Sequence, residues 1–317
     1  MSKIQIKKSS LVISEDGLEK KVTGKRLTVL KTYKMYIGGQ FPRTESGRYY
    51  TPVNTSGKKL ANVCLGSRKD FRDAVVAARA AFGKWASRSA MNRGQILYRV
   101  AEMLEGRKNQ FAEEMKLQDY SKAKAEKEIE LSIDRLIHYA GWCDKYQQLF
   151  SAVNPVASSY FNFSVPEPTG VVSVIAPQDN ALIGLVSVIA PVIAGGNSCV
   201  VLASETKPLC AVTFAEVLNS SDLPPGVVNI MTGKVAELAS WFTTHMDVNA
   251  TICCEKDSEL KKEIQEKSAM NLKRVHFYDN IKWTTENGQS PYFILDSQEI
   301  KTTWHPIENI ASSGGSY

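Results

Sequence analysis

Five apolar runs, separated by stretches of helical period, lie between Val171 and Tyr278 and limit what this chain can fold into more than any other feature. The runs are Val171-Val172-Ser173-Val174-Ile175-Ala176, Cys199-Val200-Val201-Leu202, Val227-Val228-Asn229-Ile230-Met231, Thr251-Ile252-Cys253-Cys254 and Arg274-Val275-His276-Phe277-Tyr278. Helices are expected over Leu182 to Ala194, Pro208 to Asn219, Glu237 to His245 and Ser258 to Met270. Strands that are apolar at nearly every position need cover on both faces, as in a parallel sheet. Right-handed crossovers then set the class: α/β, a Rossmann-like open parallel sheet.

Upstream, Met35 to Phe41 reads as a short strand with a glycine turn. Phe71, Val75, Ala78, Phe82 and Trp85 recur at helical spacing behind the cap candidate Ser67. Ile96, Val100, Leu104 and Phe111 mark a second, longer helix, and Ile129, Ile133, Leu136, Ile137 and Trp142 a third, giving an added helical layer. Asn154 to Val165 alternates loosely and reads as a hairpin. Ile294 through His305 reads as one more strand. The expected division is a basic arm over 1–32, a helical part over 33–150, a β-arm from 151–167 and 294–306, the sheet over 168–280 and a flexible tail over 307–317.

Composition is that of a folded protein, with 43% hydrophobic and 23% charged residues in 317. The net charge of +6 sits largely before residue 35 and lacks aromatic interleaving or a reader motif, so neither nucleic acid nor membrane is an expected partner. No run approaches the ~18 apolar residues of a spanning helix, and the first residues lack the apolar run of a signal peptide. The six cysteines show no ligand-like spacing and read as reduced, buried thiols, which points to the cytoplasm. Cys253 and Cys254 are expected on opposite faces of one buried strand, with a redox-active pair as the alternative. His138, His245, His276 and His305 are scattered, and no metal site is expected.

The order of segments resembles the aldehyde dehydrogenase superfamily. The resemblance rests on Tyr36-Ile37-Gly38-Gly39, on Pro166-Glu167-Pro168-Thr169-Gly170-Val171-Val172 leading into Val174-Ile175-Ala176-Pro177, and on Ala190-Pro191-Val192-Ile193-Ala194-Gly195-Gly196-Asn197. It continues through Leu223-Pro224-Pro225-Gly226-Val227-Val228-Asn229, Thr232-Gly233, His245-Met246-Asp247-Val248 and Asn271-Leu272-Lys273-Arg274-Val275. Ile300-Lys301-Thr302-Thr303-Trp304 looks like the family's C-terminal oligomerisation strand. Aldehyde oxidation in this family needs a thiolate, an oxyanion donor, a general base and a nicotinamide cofactor.

Those groups are replaced here. The family's oxyanion asparagine follows the first strand. A gapless match puts Asp179 in its place, and an ionised carboxylate cannot donate a hydrogen bond. Asn180 would serve only if the turn shifts by one residue. Tyr278 stands where the family carries its general-base glutamate, and a phenol that titrates near pH ~10 is a poor base. The nucleophilic cysteine belongs to a domain inserted before the C-terminal strand, whereas Asn280 to Ile300 spans 21 residues, against at least ~50 for a domain.

The resemblance implies cofactor contacts from Ile175, Ala176, Pro177, Glu205, Gly233 and Lys256. Leu202 replaces the family's ribose-binding lysine, and Glu255-Lys256 replaces the Gly-Ser pair that lets a helix N-terminus reach the pyrophosphate. No cofactor is therefore expected, with NAD or NADP the class that applies if one binds. The chain reads as a pseudoenzyme, a structural or regulatory subunit that pairs with itself or with a complete aldehyde dehydrogenase. The alternative is an NAD(P)-dependent aldehyde dehydrogenase, an oxidoreductase with an altered site.

Overall fold

The computed structural model describes residues 29–307. The expected basic arm through residue 28 and the tail from residue 308 lie outside the described residues. Residues 32–307 belong to one compact unit. Strands β1 (Thr32–Tyr33), β2 (Tyr49–Tyr50) and β3 (Asn62–Cys64) make a small sheet in the order β1-β3-β2. Met35 to Phe41 holds the expected glycine turn, with the strand reduced to isolated bridges, one of them from Tyr36 to Ile230. Ile37 bridges to Gln40 across Gly38 and Gly39, at φ 58 and 79, which an L side chain rarely adopts. A Cβ on Gly39 would also stand 2.7 Å from Pro225 Cβ.

Helix α1 (Arg68–Ala86) starts in a capping box, with Ser67 accepting from the Asp70 amide and Asp70 from the Ser67 amide. Then come α2 (Ala90–Glu105), α3 (Lys108–Leu117), α4 (Lys122–Trp142) and the short α5 (Tyr146–Phe150). The single helix expected over Ile96 to Phe111 is two. Gly106 closes α2, and Arg107 leaves helical geometry at φ -114, ψ 13. Leu104 and Phe111 lie two helical turns apart whether or not the helix breaks, so periodicity was blind to the break. Gly106 was the local signal.

The arm strands β4 (Ala152–Asn154) and β5 (Tyr160–Pro168) precede the large sheet. That sheet holds β6 (Val171–Ile175), β7 (Ser198–Leu202), β8 (Val228–Met231), β9 (Ala250–Cys253) and β10 (Arg274–Phe277). Helices α6 (Ile183–Ala194), α7 (Leu209–Ser220), α8 (Val235–Thr244) and α9 (Ser258–Ser268) connect them. All pairings are parallel, in the order β10-β9-β6-β7-β8.

Burial follows the two-residue strand period. Val172, Val174, Val201 and Ile252 join a core with α2, α3, α4, α6 and α7. Val171, Ile175, Val200 and Leu202 join a second core with α1, α8 and α9. Cys254 lies in the first core and Cys253 in the second, the opposite faces expected of them. All six cysteines are free and buried. Burial pushes the Cys253 thiol up to about 11, so neither neighbour is a poised thiolate.

The chain from Tyr278 to Ser297 is a folded plug. Trp283 and Phe293 are 5% and 7% exposed, and Ile294 is fully buried. Arg135 of α4 donates to the Trp283 carbonyl at 2.9 Å and to the Gly288 carbonyl, and Tyr139 donates to the Ser290 carbonyl at 3.0 Å. Ile294 and Leu295 are not part of a strand, as expected from sequence, but of α10 (Tyr292–Leu295). The last strand, β11 (Gln298–Pro306), starts after it and pairs antiparallel with β5 along its whole length, completing an arm in the order β11-β5-β4. Asn197 joins plug and sheet, accepting from the Gly170 amide and donating to the Ser297 carbonyl, each at 2.9 Å.

Candidate functional site

The chain runs outward from β6 to β8 in one direction and returns to β9 and β10 in the other. In an open α/β sheet the ligand crevice lies at that reversal, beyond the carboxyl ends of the strands. Here that places it past Ile175 and Cys253. Ile175, Ala176 and Pro177 are buried and form its base.

The turn after β6 is pinned by its own side chains. Gln178 Nε2 donates to the Ala176 carbonyl at 3.0 Å, and its Oε1 accepts from the Glu205 amide at 2.9 Å. Asp179 is exposed. Its carboxylate lies 3.8 Å from Lys256 Nζ, and its carbonyl accepts from Lys207 Nζ at 2.7 Å. Two residues assigned to different tasks by the sequence reading, Asp179 and Lys256, are thus brought together across the crevice. Asn180 is half-buried, with its Oδ1 against Gly184 on α6. Tyr278 is buried and donates to Asp296 Oδ2 at 2.6 Å, with its ring 4.7 Å from that of Phe293. Burial, then Asp296, push its phenol far above the ordinary range.

Glu205 Oε2 accepts from the Val235 amide at 3.0 Å, so the carboxylate caps α8. Gly233 is buried just before that helix, where a Cβ would come 2.8 Å from Leu238 Cδ1. Leu202 is fully buried in the core shared with α8. Between α8 and α9 lies a cleft of about 660 Å³, whose walls carry Glu205, Glu255, Asp257, Glu259, Glu263 and Glu266 against the single cation Lys262. Asp257 Oδ1 accepts from the Glu259 and Leu260 amides at 2.8 and 3.2 Å. The donors that a helix N-terminus offers an anion are therefore already bonded to the chain's own carboxylate. Such a lining does not fit a pyrophosphate: like charge fills the cradle against Lys262 alone, and the neighbouring Lys256 leans toward Asp179.

The crowding is legible in Glu255. Burial first, then Glu205, Asp179 and Asp257, raise its carboxyl above the ordinary range. A folded value above the unfolded one means that its contribution to stability is fully present below the unfolded value and is lost as pH rises through the folded one. Glu255→Gln should therefore be more stable than the parent at pH 7 and indistinguishable from it near pH 4. Urea midpoints at both values check this, and a loss of stability at pH 7 contradicts it.

Sequence reasoning missed four participants. Asp257 had a readable signal, an aspartate immediately before a charged helix. Gln178, Lys207 and Asp296 had none, because each acts on a partner distant in sequence or through a turn of unknown shape. His276 faces Asp296 at 3.6 Å. No group of His, Cys, Asp and Glu among the described residues could hold a metal ion, and no helix among them is long and apolar enough to cross a membrane.

The fold and crevice define a dinucleotide-type α/β protein. The chain belongs to the aldehyde dehydrogenase family, whose model matches residues 42–304. It is 32% identical over 293 residues to the putative aldehyde dehydrogenase DhaS of Bacillus subtilis, covering 90% of this chain and 57% of that protein. It is equally similar to the mitochondrial 10-formyltetrahydrofolate dehydrogenase of Mus musculus, again over 90% of this chain but 31% of the relative. Among solved structures, an aldehyde dehydrogenase from Bacillus cereus aligns with a TM-score of 0.73 at 26% identity, over 78% of this chain and 50% of that one. HpcC from Thermus thermophilus aligns with a TM-score of 0.74 at 26% identity, over 78% and 48%. The chain thus spans between about a third and somewhat over half of the curated relatives it matches.

Proposed function

We propose that this chain is a non-catalytic member of the family that works by association, as a structural or regulatory subunit of a complete aldehyde dehydrogenase. The observation that carries the reading is the plug. Where the resemblance calls for a domain bearing the nucleophilic cysteine, residues 278–297 fold into a segment anchored by the buried Trp283, Phe293 and Ile294, and Tyr278 is spent on Asp296. The carboxylate-lined cleft supports the same reading, since its charge opposes the pyrophosphate of NAD or NADP. The aldehyde dehydrogenase of Bacillus cereus, a relative of this chain, is known as an NAD+ complex.

The means of association in this reading is the β-arm. Val153, Phe161 and Trp304 are large and exposed on it, and Val153, Phe161, Phe163 and Val165 line an apolar hollow of about 320 Å³. Apolar surface on a sheet with open edges favours a protein partner. Pairing of two copies through this arm is the second reading, favoured by the same surface.

Co-expression with a full-length aldehyde dehydrogenase of the same cell, followed by size-exclusion chromatography, tests the proposal. A stable mixed complex is expected, and a homodimer alone selects the second reading. Sustained turnover of a simple aldehyde with NAD or NADP by the isolated chain overturns the non-catalytic assignment and restores the reading as an oxidoreductase with an altered site.

A further inference from the structure

The far end of α8 carries a pocket opposite in character to the acidic cleft. It encloses about 170 Å³ and is lined by Arg68, Phe71, Arg72, Trp241, Thr244 and His245, with no carboxylate in its walls. At ~30 Å³ per water this is room for about five waters or one small ligand. The Arg68 guanidinium lies over the Trp241 ring, 4.2 Å from its centroid. It makes no ion pair among the described residues, and stacking leaves its edge of N–H donors free. Arg72 spends Nε and Nη2 on Asp73 Oδ1, at 3.3 and 3.1 Å, which leaves Nη1.

His245 is held in one tautomer. Its Nδ1 accepts from the Asp247 amide at 3.2 Å, so in the neutral ring the proton sits on Nε2 as a donor. The ring stands edge-on to Phe71, 5.8 Å between centroids. Burial lowers its basicity. Asp247 raises it, while Lys273 and Arg72 lower it further, and the net shift is downward. Two helix ends meet at the pocket, the N-terminus of α1, already capped by Asp70, and the C-terminus of α8, and their dipoles oppose, so the positive character of the pocket rests on its side chains.

We infer that this pocket is an oxyanion-binding site, in which Arg68, Arg72 and His245 hold the sulfate-, phosphate- or carboxylate-type group of a small molecule. Charge-assisted bonds from a guanidinium are the strong ones for such groups, and their planar geometry suits two oxygens at once. The site is independent of the subunit reading, because it uses neither the crevice nor the arm.

Proton NMR titration of the histidine C2–H resonances tests it. The chain has four histidines, and His245→Asn assigns the one at the pocket. With sodium sulfate the His245 pKa should rise by about one unit, a tenfold gain in proton affinity, and the response should saturate. Sodium chloride at equal ionic strength should give no such shift. Sodium acetate run in parallel separates planar from tetrahedral ligands, and the anion that saturates at the lower concentration names the class. Arg68 is exposed, so Arg68→Gln should preserve the fold, as judged by an unchanged His276 titration, while raising the anion concentration needed by at least ~10-fold. Identical His245 titrations in sulfate, acetate and chloride overturn the site, as does an Arg68→Gln protein that responds like the parent.

Discussion

Trp283→Ala should lower the unfolding free energy by about 3–5 kcal/mol, the range for truncating a large buried aromatic. Trp283 is 5% exposed, and its ring lies 6.0 Å from that of Phe293 and 6.2 Å from that of Tyr278. Its backbone carbonyl accepts from Arg135, and Gly288 passes so close that a Cβ there would stand 2.8 Å from Trp283 Cα. The cavity would therefore open beside a buried guanidinium that engages Ser187 and two carbonyls but no carboxylate. Burial already depresses that guanidinium's basicity, and loosening its carbonyl partners adds to the cost. Urea denaturation measures the loss, and amide exchange should show residues 281–297 opening together. A loss below ~1 kcal/mol would mark the segment as an ordinary surface loop and remove the main support for a packed, non-catalytic fold.

The large sheet was legible because both of its faces are buried. A strand such as Val171–Ile175 then carries its apolar signal at every position but Ser173, and the connecting helices are long enough to show their own period. The opposed placement of Cys253 and Cys254 followed from the same two-residue geometry. What escaped were features decided by one or two residues or by distant partners. Ile294 and Leu295 look like strand residues because α10 is a single turn, too short to show a helical period, and it is buried by α6 and not by its own neighbours. The candidate site was readable as a set of replaced residues but not as an arrangement. That Asp179 would meet Lys256, that Glu205 would cap α8 and that Tyr278 would donate to Asp296 all depend on how separate turns approach one another, which no local pattern encodes.

Glu128→Ala should cost about 2–4 kcal/mol, whereas Glu128→Gln should cost about 1 kcal/mol or less, because the two changes differ in whether an acceptor remains at the start of α6. All twelve residues of α6 are buried, so its first amides cannot turn to water. Glu128 Oε1 accepts from the Leu182 amide at 2.8 Å and the Ile183 amide at 3.3 Å, and the Tyr120 hydroxyl accepts from the Ala181 amide at 3.1 Å. This cap reaches across from α4, so its glutamate sits 54 residues before the amide it serves and gives no capping signal in sequence. Alanine would leave two buried donors orphaned, while glutamine keeps a carbonyl oxygen in reach. Charge supplies a second readout. Lys207 is held below the ordinary lysine range by burial and then by Lys124, with Glu128 opposing the shift. Both substitutions remove that opposing charge, so both should depress the Lys207 pKa further, and only alanine should also destabilise the fold. Equal unfolding midpoints for the alanine and glutamine proteins would show that the amides at the head of α6 find other partners. The turn carrying Asp179 and Asn180 would then not be fixed by Glu128, and its placement beside the crevice would need another cause.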